Sequence, residues 1–297
     1  MQHADIKLSM TSGKTWLLYA LVTTIFWGVW GAFIEIPEKS GFPPTLGYVV
    51  WSLSMIPCAI FALMKVNWSI NKDLRSILLG TTVGLTGAAG QLLLFQALRE
   101  GPAYIVFPFI SLFPVCTIIL AFIFLREFAK SRQWWGIGLA LIAIFFLSYQ
   151  PGQHSQDPGG VSWIFYSVLV FLMWGVQAFV MKFSNDTMTA ESIFFYMTLT
   201  ALLLSPVAMW MTDFSHPVNL GFKGPYLAFI IHTLNSIGAL TLVYALRYGK
   251  AIVVVPMTGL SPIITVVISL ILYSVLPSAG IALGVMLAII SIYLLSD

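Results

Sequence analysis

The sequence predicts an all-α integral membrane protein of ten transmembrane helices arranged as two inverted five-helix repeats. Three observations predict it: continuous apolar runs of helical length, a scarcity of charge, and a second half that repeats the first. Of the 297 residues 59% are hydrophobic and 8% charged, and the mean hydropathy is +0.93. A soluble domain of that composition would not stay in solution.

A helical span needs about 20 apolar residues. Such windows fall at 15–36, 44–64, 75–98, 102–125, 132–149, 162–183, 190–211, 224–246, 251–275 and 277–296. Outer-membrane barrel strands are about ten residues of alternating polarity, and these runs are continuous. The first window follows Lys7 and Lys14 like a secretory signal. It exceeds signal length, however, and ends in "IEIPEK" without a small-residue cleavage site, so it is read as a retained span. Cys58 and Cys116 both fall inside windows and suggest neither a disulfide framework nor a metal site.

Charge distribution predicts topology. Lys7, Lys14, Lys65, Lys72, Arg75, Arg126, Lys130, Arg132, Lys182, Arg247 and Lys250 fall on one face, and only Lys39, Arg99 and Lys223 on the other. The positive-inside rule then places both termini in the cytoplasm of a cell membrane. The excess of basic residues reads as this topology signal, and no nucleic-acid partner is expected.

The repeat is explicit. Ala97, Leu98, Arg99, Gly101, Ala103, Val106, Pro108, Leu112, Pro114 and Thr117 recur 148 residues later as Ala245, Leu246, Arg247, Gly249, Ala251, Val254, Pro256, Leu260, Pro262 and Thr265. "GIGLALIAIFFLS" at 136–148 answers "GVMLAIISIYLLS" at 284–296, and at an offset of 147 "WLLYALVTTIFWGV" answers "WIFYSVLVFLMWGV". The expected units are therefore residues 1–150 (spans one to five) and 151–297 (spans six to ten). Five is odd, so the second unit enters the membrane from the opposite side, an inverted-topology repeat. Arg99 and Arg247 then close matching spans at opposite faces, as expected of gates. Pro108, Pro114, Pro256 and Pro262 each remove a backbone donor and weaken their helices, as expected of hinges. Plain packing kinks are the other reading of these prolines.

The chain resembles the drug/metabolite transporter superfamily in its ten-span form of two EamA-like repeats. The resemblance is carried by Trp27-Gly28 and Trp174-Gly175, by "ALREGPA" and "ALRYGKA", and by "FLRE" at 124–127 before a Gly-rich span. It implies a secondary transporter, working without ATP or cofactor, for a small polar metabolite such as an amino acid, amine, sugar or nucleotide derivative. It also implies a cavity lined by spans one, three, four, six, eight and nine. Glu127 is similar to the family's acidic residue after span four, and the second repeat has Val275 there. Lys182 fits a basic residue that follows Trp-Gly in the family; its first-half counterpart is Glu35, so the charge is reversed.

Several residues are candidates for substrate contact. Glu35 could carry a coupling proton or meet a cationic substrate, or be an interfacial charge paired with Lys39 four residues on. Lys182 could meet substrate or snorkel as an anchor. Trp27, Trp30, Trp51 and Trp174 could wall a pocket through stacking or cation-π attraction, or belong to the interfacial belt. Gln91, Gln96, Gln177, His232, Asn235 and Tyr244 offer uncharged donors and acceptors, equally usable between helices. Gly80, Gly84, Gly87 and Gly90 form a small-residue stripe suited to close helix contact. The histidines, His3, His154, His216 and His232, have no metal-ligand spacing, and neither a nucleophile elbow nor a P-loop occurs, so no enzyme, metal or cofactor is expected. The function expected is alternating-access transport of a small molecule across the lipid bilayer, with a proton as a candidate coupling ion. A membrane receptor or scaffold is the alternative, and the residues do not choose between monomer and homodimer.

Overall fold

The computed structural model describes residues 14–101, 103–148, 161–273 and 277–296. Lys7, His3, His154 and Val275 lie outside them. Every regular element among the described residues is helical: α1 (Thr15–Phe33), α2 (Glu35–Lys39), α3 (Pro44–Lys65), α4 (Leu74–Glu100), α5 (Ala103–Ser111), α6 (Phe113–Phe124), α7 (Ser131–Ser148), α8 (Ser162–Asn185), α9 (Ala190–Trp210), α10 (Leu227–Tyr248), α11 (Ala251–Thr258), α12 (Pro262–Tyr273) and α13 (Ala279–Leu295). A π turn, Phe222–Tyr226, leads into α10. Nine helical stretches among the described residues are long and apolar enough to cross a membrane, and α13 is a shorter apolar helix. Local chemistry starts several of them. The Asp73 carboxylate accepts from Ser76 N–H, the Thr189 hydroxyl from Ser192 N–H and the Ser278 hydroxyl from Ile281 N–H, each closing an N-terminal turn.

The two five-helix repeats pack through contacts that come in pairs. Trp27 lies against Gly238 of α10, and Trp174 against Gly90 of α4, where a Cβ would approach the indoles to 2.4 and 2.7 Å. Thr265 Oγ1 donates to Gly28 O at 2.8 Å, and Thr117 Oγ1 to Gly175 O at 2.9 Å. Trp163 covers Gly101 as Trp16 covers Gly249. Hence α1 of the first repeat packs on α10 and α12 of the second, α8 packs on α4 and α6, and the self-matched pairs α3/α9 and α7/α13 complete the bundle.

The structure departs from the expected spans 102–125 and 251–275, which are not continuous helices. Each is broken: α5 gives way to α6 at Leu112, and α11 to α12 at Gly259–Ser261. Pro114 and Pro262 stand at the start of the second segments, where a missing N–H costs least. Three-residue turns bridge the gaps, Leu260 N donating to Met257 O at 3.1 Å and Val115 N to Leu112 O at 2.9 Å. The breaks adjoin each other: a Cβ on Gly259 would lie 3.4 Å from Pro114 Cγ and 3.0 Å from Ile144 Cδ1.

Symmetry fails at the two ends of the bundle. All eight residues of α11 are buried, and α11 packs against α6, α7 and α8 as well as α1. Its counterpart α5 buries Val106, Pro108 and Ile110 but exposes Ile105, Phe107 and Phe109. Among the described residues α5 packs on α7 and α8 and makes no comparable contact with α12, α13 or α1. Among the described residues the repeats are thus joined tightly at the Arg247 end and loosely at the Arg99 end.

The glycine stripe of α4 is a contact seam. A Cβ at Gly84 would stand 1.8 Å from Thr200 Oγ1 and 2.9 Å from Tyr196 O, whereas one at Gly138 meets nothing within 4 Å. Replacement of Gly84 by Ala should therefore cost about 1–3 kcal/mol through overpacking. The Gly138→Ala change should be neutral or stabilising by up to about 1 kcal/mol through helix propensity. Melting curves of the purified variants check the contrast; equal melting points would mean that the seam is not tight.

Candidate functional site

Five of the sequence-selected residues converge between α1, α3 and α10. Trp51 Nε1 donates to Asn235 Oδ1 at 2.8 Å, Trp27 Nε1 to Asn235 O at 3.2 Å, and Trp30 Nε1 to His232 Nδ1 at 3.2 Å. His232 and Asn235 are three apart on α10 and so share a face. The spacing of Trp27 and Trp30 on α1 presents two indoles to that face. Tyr48 packs edge-on against Trp51, with ring centroids 5.2 Å apart.

His232 is 6% exposed, and its Nε2 has no hydrogen-bond partner. Because Nδ1 accepts from Trp30, the neutral ring carries its proton on Nε2, a buried donor left open. It faces Gly47, where an added Cβ would lie 3.5 Å away. The cluster thus combines aromatic walls with neutral polar groups and holds no carboxylate.

The mirror-related cluster is built differently. Trp174 Nε1 donates to Gly87 O at 3.4 Å, repeating the Trp27 contact, and Trp174 packs edge-on against Phe113. Where the second repeat has Asn235, the first has Gly87, and the Gln177 amide fills the space a Cβ would need. Gln91 is half-buried on α4. One repeat therefore supplies a His/Asn/Trp cluster and the other a close-packed Gly/Gln seam.

The remaining candidates sit at the ends. Glu35 is exposed, its side chain 57% accessible, and pairs with Lys39. Gln96 and Ser162 both donate to the Glu100 carboxylate, near exposed Arg99. Tyr244 lies twelve residues beyond His232 on α10, about 18 Å along the helix. Its hydroxyl donates to Glu191 Oε1 at 2.7 Å, and its ring stacks on Tyr19 with centroids 5.2 Å apart. Arg247 donates to Met188 O at 3.3 Å, Lys182 to Leu246 O at 3.0 Å and Lys250 to Phe128 O at 2.8 Å. Glu127, 8% exposed, accepts from Ile252 N–H at 3.1 Å. Burial raises its carboxyl above the usual carboxylate range, opposed by the Ile252 hydrogen bond and by Lys182. The sequence reading did not single out Tyr19, Tyr48 or Glu191, which have no periodic or motif signature. Among the described residues, no three His, Cys, Asp or Glu side chains group to hold a metal.

The paired repeats and apolar helices define a multi-pass membrane protein of two related five-helix repeats. A family model for the EamA-like transporter family matches residues 14–149 and again 161–297. The chain belongs to that family, within the drug/metabolite transporter superfamily. It is 31% identical over 135 residues to an uncharacterised protein of Methanocaldococcus jannaschii; the alignment spans 96% of that protein and 45% of this chain, about one repeat. It is 21% identical over 206 residues to an uncharacterised transporter of Archaeoglobus fulgidus, covering 69% of this chain and 70% of the relative. A crystal structure shares the fold with a TM-score of 0.77 at 14% identity, over 95% of this chain and 96% of the other.

The cluster makes a testable distinction between its tryptophans. Replacing Trp30 by Phe leaves both imidazole nitrogens of buried His232 without partners, at an expected cost of roughly 1–3 kcal/mol. The Trp27→Phe change leaves a backbone carbonyl that keeps its helix bond, and should cost less than half as much. Melting points of the two variants in the same detergent decide; a Trp27 variant as unstable as the Trp30 variant would overturn the hydrogen-bond account.

Proposed function

We propose that the protein is a secondary active transporter that moves a small polar metabolite by alternating access, without ATP or a resident cofactor. The observation that carries this reading is the pair of broken spans, which adjoin at the bundle centre while, among the described residues, only the Arg247 end is closely packed. Discontinuous helices at a repeat interface leave backbone groups free for a solute at mid-membrane. The unequal ends are what one member of a pair of exchanging states looks like. With the Arg247 end taken as cytoplasmic, the more loosely packed end faces the outside of the cell membrane.

In this reading the solute rests against Trp27, Trp30, Trp51, His232 and Asn235. His232 Nε2–H and the Asn235 amide supply donors, so the favoured substrate carries acceptor oxygens beside a flat or apolar face. Gln91, Trp174 and Gln177 wall the opposite side. Arg99 and Arg247 stand at the two mouths, and Pro108, Pro114, Pro256 and Pro262 let α5 and α11 swing.

The experiment is uptake and counterflow of amino acids, sugars, nucleosides and amines in proteoliposomes, preceded by a thermal-shift screen in which binding raises the melting point. Saturable flux with counterflow supports a carrier; binding without flux in any direction would make the protein a receptor.

Glu35 provides a second test. Exposed and paired with Lys39, it should tolerate Glu35→Gln, with stability within about 0.5 kcal/mol and gradient-driven uptake unchanged. Loss of proton-driven uptake with exchange preserved would instead make Glu35 the coupling site.

A further inference from the structure

Two of the matched positions at which the repeats differ in hydrogen-bonding chemistry act at the same end. Lys182 corresponds to Glu35, and Glu127 to Val275. Lys182 Nζ donates to Leu246 O, one of the carbonyls that the last turn of α10 leaves without an intrahelical partner. This ties the end of α8 to the end of α10. The mirror contact would join position 35 to Leu98 O, but a carboxylate has no hydrogen to donate to a carbonyl. Glu35 turns instead to Lys39, and among the described residues α1 and α4 pack nowhere as α8 and α10 do.

Glu127 acts on the neighbouring element. The first N–H groups of a helix lack intrahelical acceptors, and those of α11 are buried in the sealed end. Val253 and Val254 reach Lys250 O; Ile252 N–H reaches Glu127. Arg126, in the left-handed region at φ 51°, turns the chain just before this carboxylate. Lys250 Nζ returns the link by donating to Phe128 O. The charged groups facing Glu127 are Lys182 from α8 and Lys250 from the α10–α11 link, so both ties belong to one network. A valine at the matched place in the second repeat offers no acceptor.

We infer that Glu127 and Lys182 are positioning residues that hold α11 and α8 in the sealed Arg247 end, and that, having no equivalents in the other half, they bias the resting protein toward the state open at the Arg99 end. This rests on the transport reading only in treating the movement as gating.

The test uses the full chain with Cys58 and Cys116 replaced by Ala and one reporter, Val255→Cys, at a position 1% exposed in α11. Labelling by a polar maleimide is timed without substrate. Glu127→Ala and Lys182→Met should each speed labelling about tenfold. Glu127→Gln, which keeps an acceptor oxygen, and Lys182→Arg, which keeps a donor, should stay within about threefold of the parent. Unchanged rates in the first pair overturn the inference, as do conservative variants that open as far as the disruptive ones. If Glu127→Ala does not fold, Glu127→Asp, one methylene too short, should give about a threefold rise, and no rise there overturns the role of Glu127. Flux of the parent protein is measured separately. Tenfold labelling in a protein that transports nothing leaves the seal standing and removes the transport reading; transport with unaltered labelling does the reverse.

Discussion

In hydrocarbon, a backbone N–H or C=O without a partner costs several kcal/mol, and the whole architecture follows from how two interrupted spans meet that constraint. Prolines at 108, 114, 256 and 262 guarantee that spans four and nine cannot satisfy every carbonyl internally. Such breaks survive only where protein or a wet cavity surrounds them. The breaks near Pro114 and Gly259 therefore adjoin in the middle. Side chains supplement the ladder at this depth: Thr24 Oγ1 reaches Met257 O at 3.4 Å, and Thr265 and Thr117 bond the carbonyls of Gly28 and Gly175.

Those threonine contacts show how the repeats recognise each other. Each pairs a bare glycine backbone on the first helix of one repeat with the second segment of the broken span of the other. Each is flanked by a tryptophan that spans to a glycine of a third helix. Small residues let helices approach, and van der Waals contact then holds them without a hydrophobic driving force. Duplication makes this economical, because one compatible interface solves both.

Much of this was legible in the sequence, since duplication, proline positions and apolar length are one-dimensional properties. The glycine stripe of α4 was legible as a seam, although its partners Tyr196, Thr200, Gln177 and Trp174 were not. The polar cluster was legible by residue type only. Trp27, Trp30, His232 and Asn235 were on expected spans, but Trp51 comes from span two, and its bond to Asn235 depends on how α3 tilts against α10. Tyr244 shows the converse: a polar residue on a central span can lie about 18 Å from the cluster and serve an end, as Lys182 does from α8. The sequence marks which groups are expensive to bury, and packing decides which neighbour satisfies them.

The departures from symmetry carry as much information as the symmetry. Two inverted halves with identical sequences would have inward- and outward-open states of equal energy, since exchanging the halves converts one into the other. Any resting preference must therefore be written in the positions where the halves differ. An exchange of one apolar side chain for another offers no bond that could distinguish the states. Glu127 against Val275 and Lys182 against Glu35 are of another kind, because each supplies or withholds a hydrogen bond at the closely packed Arg247 end. A difference of 1.4 kcal/mol already shifts a two-state ratio tenfold, within the range of a single charge-assisted hydrogen bond. In the proposed alternating-access cycle, a population bias needs no separate regulatory element when two unmatched side chains stand at the same end.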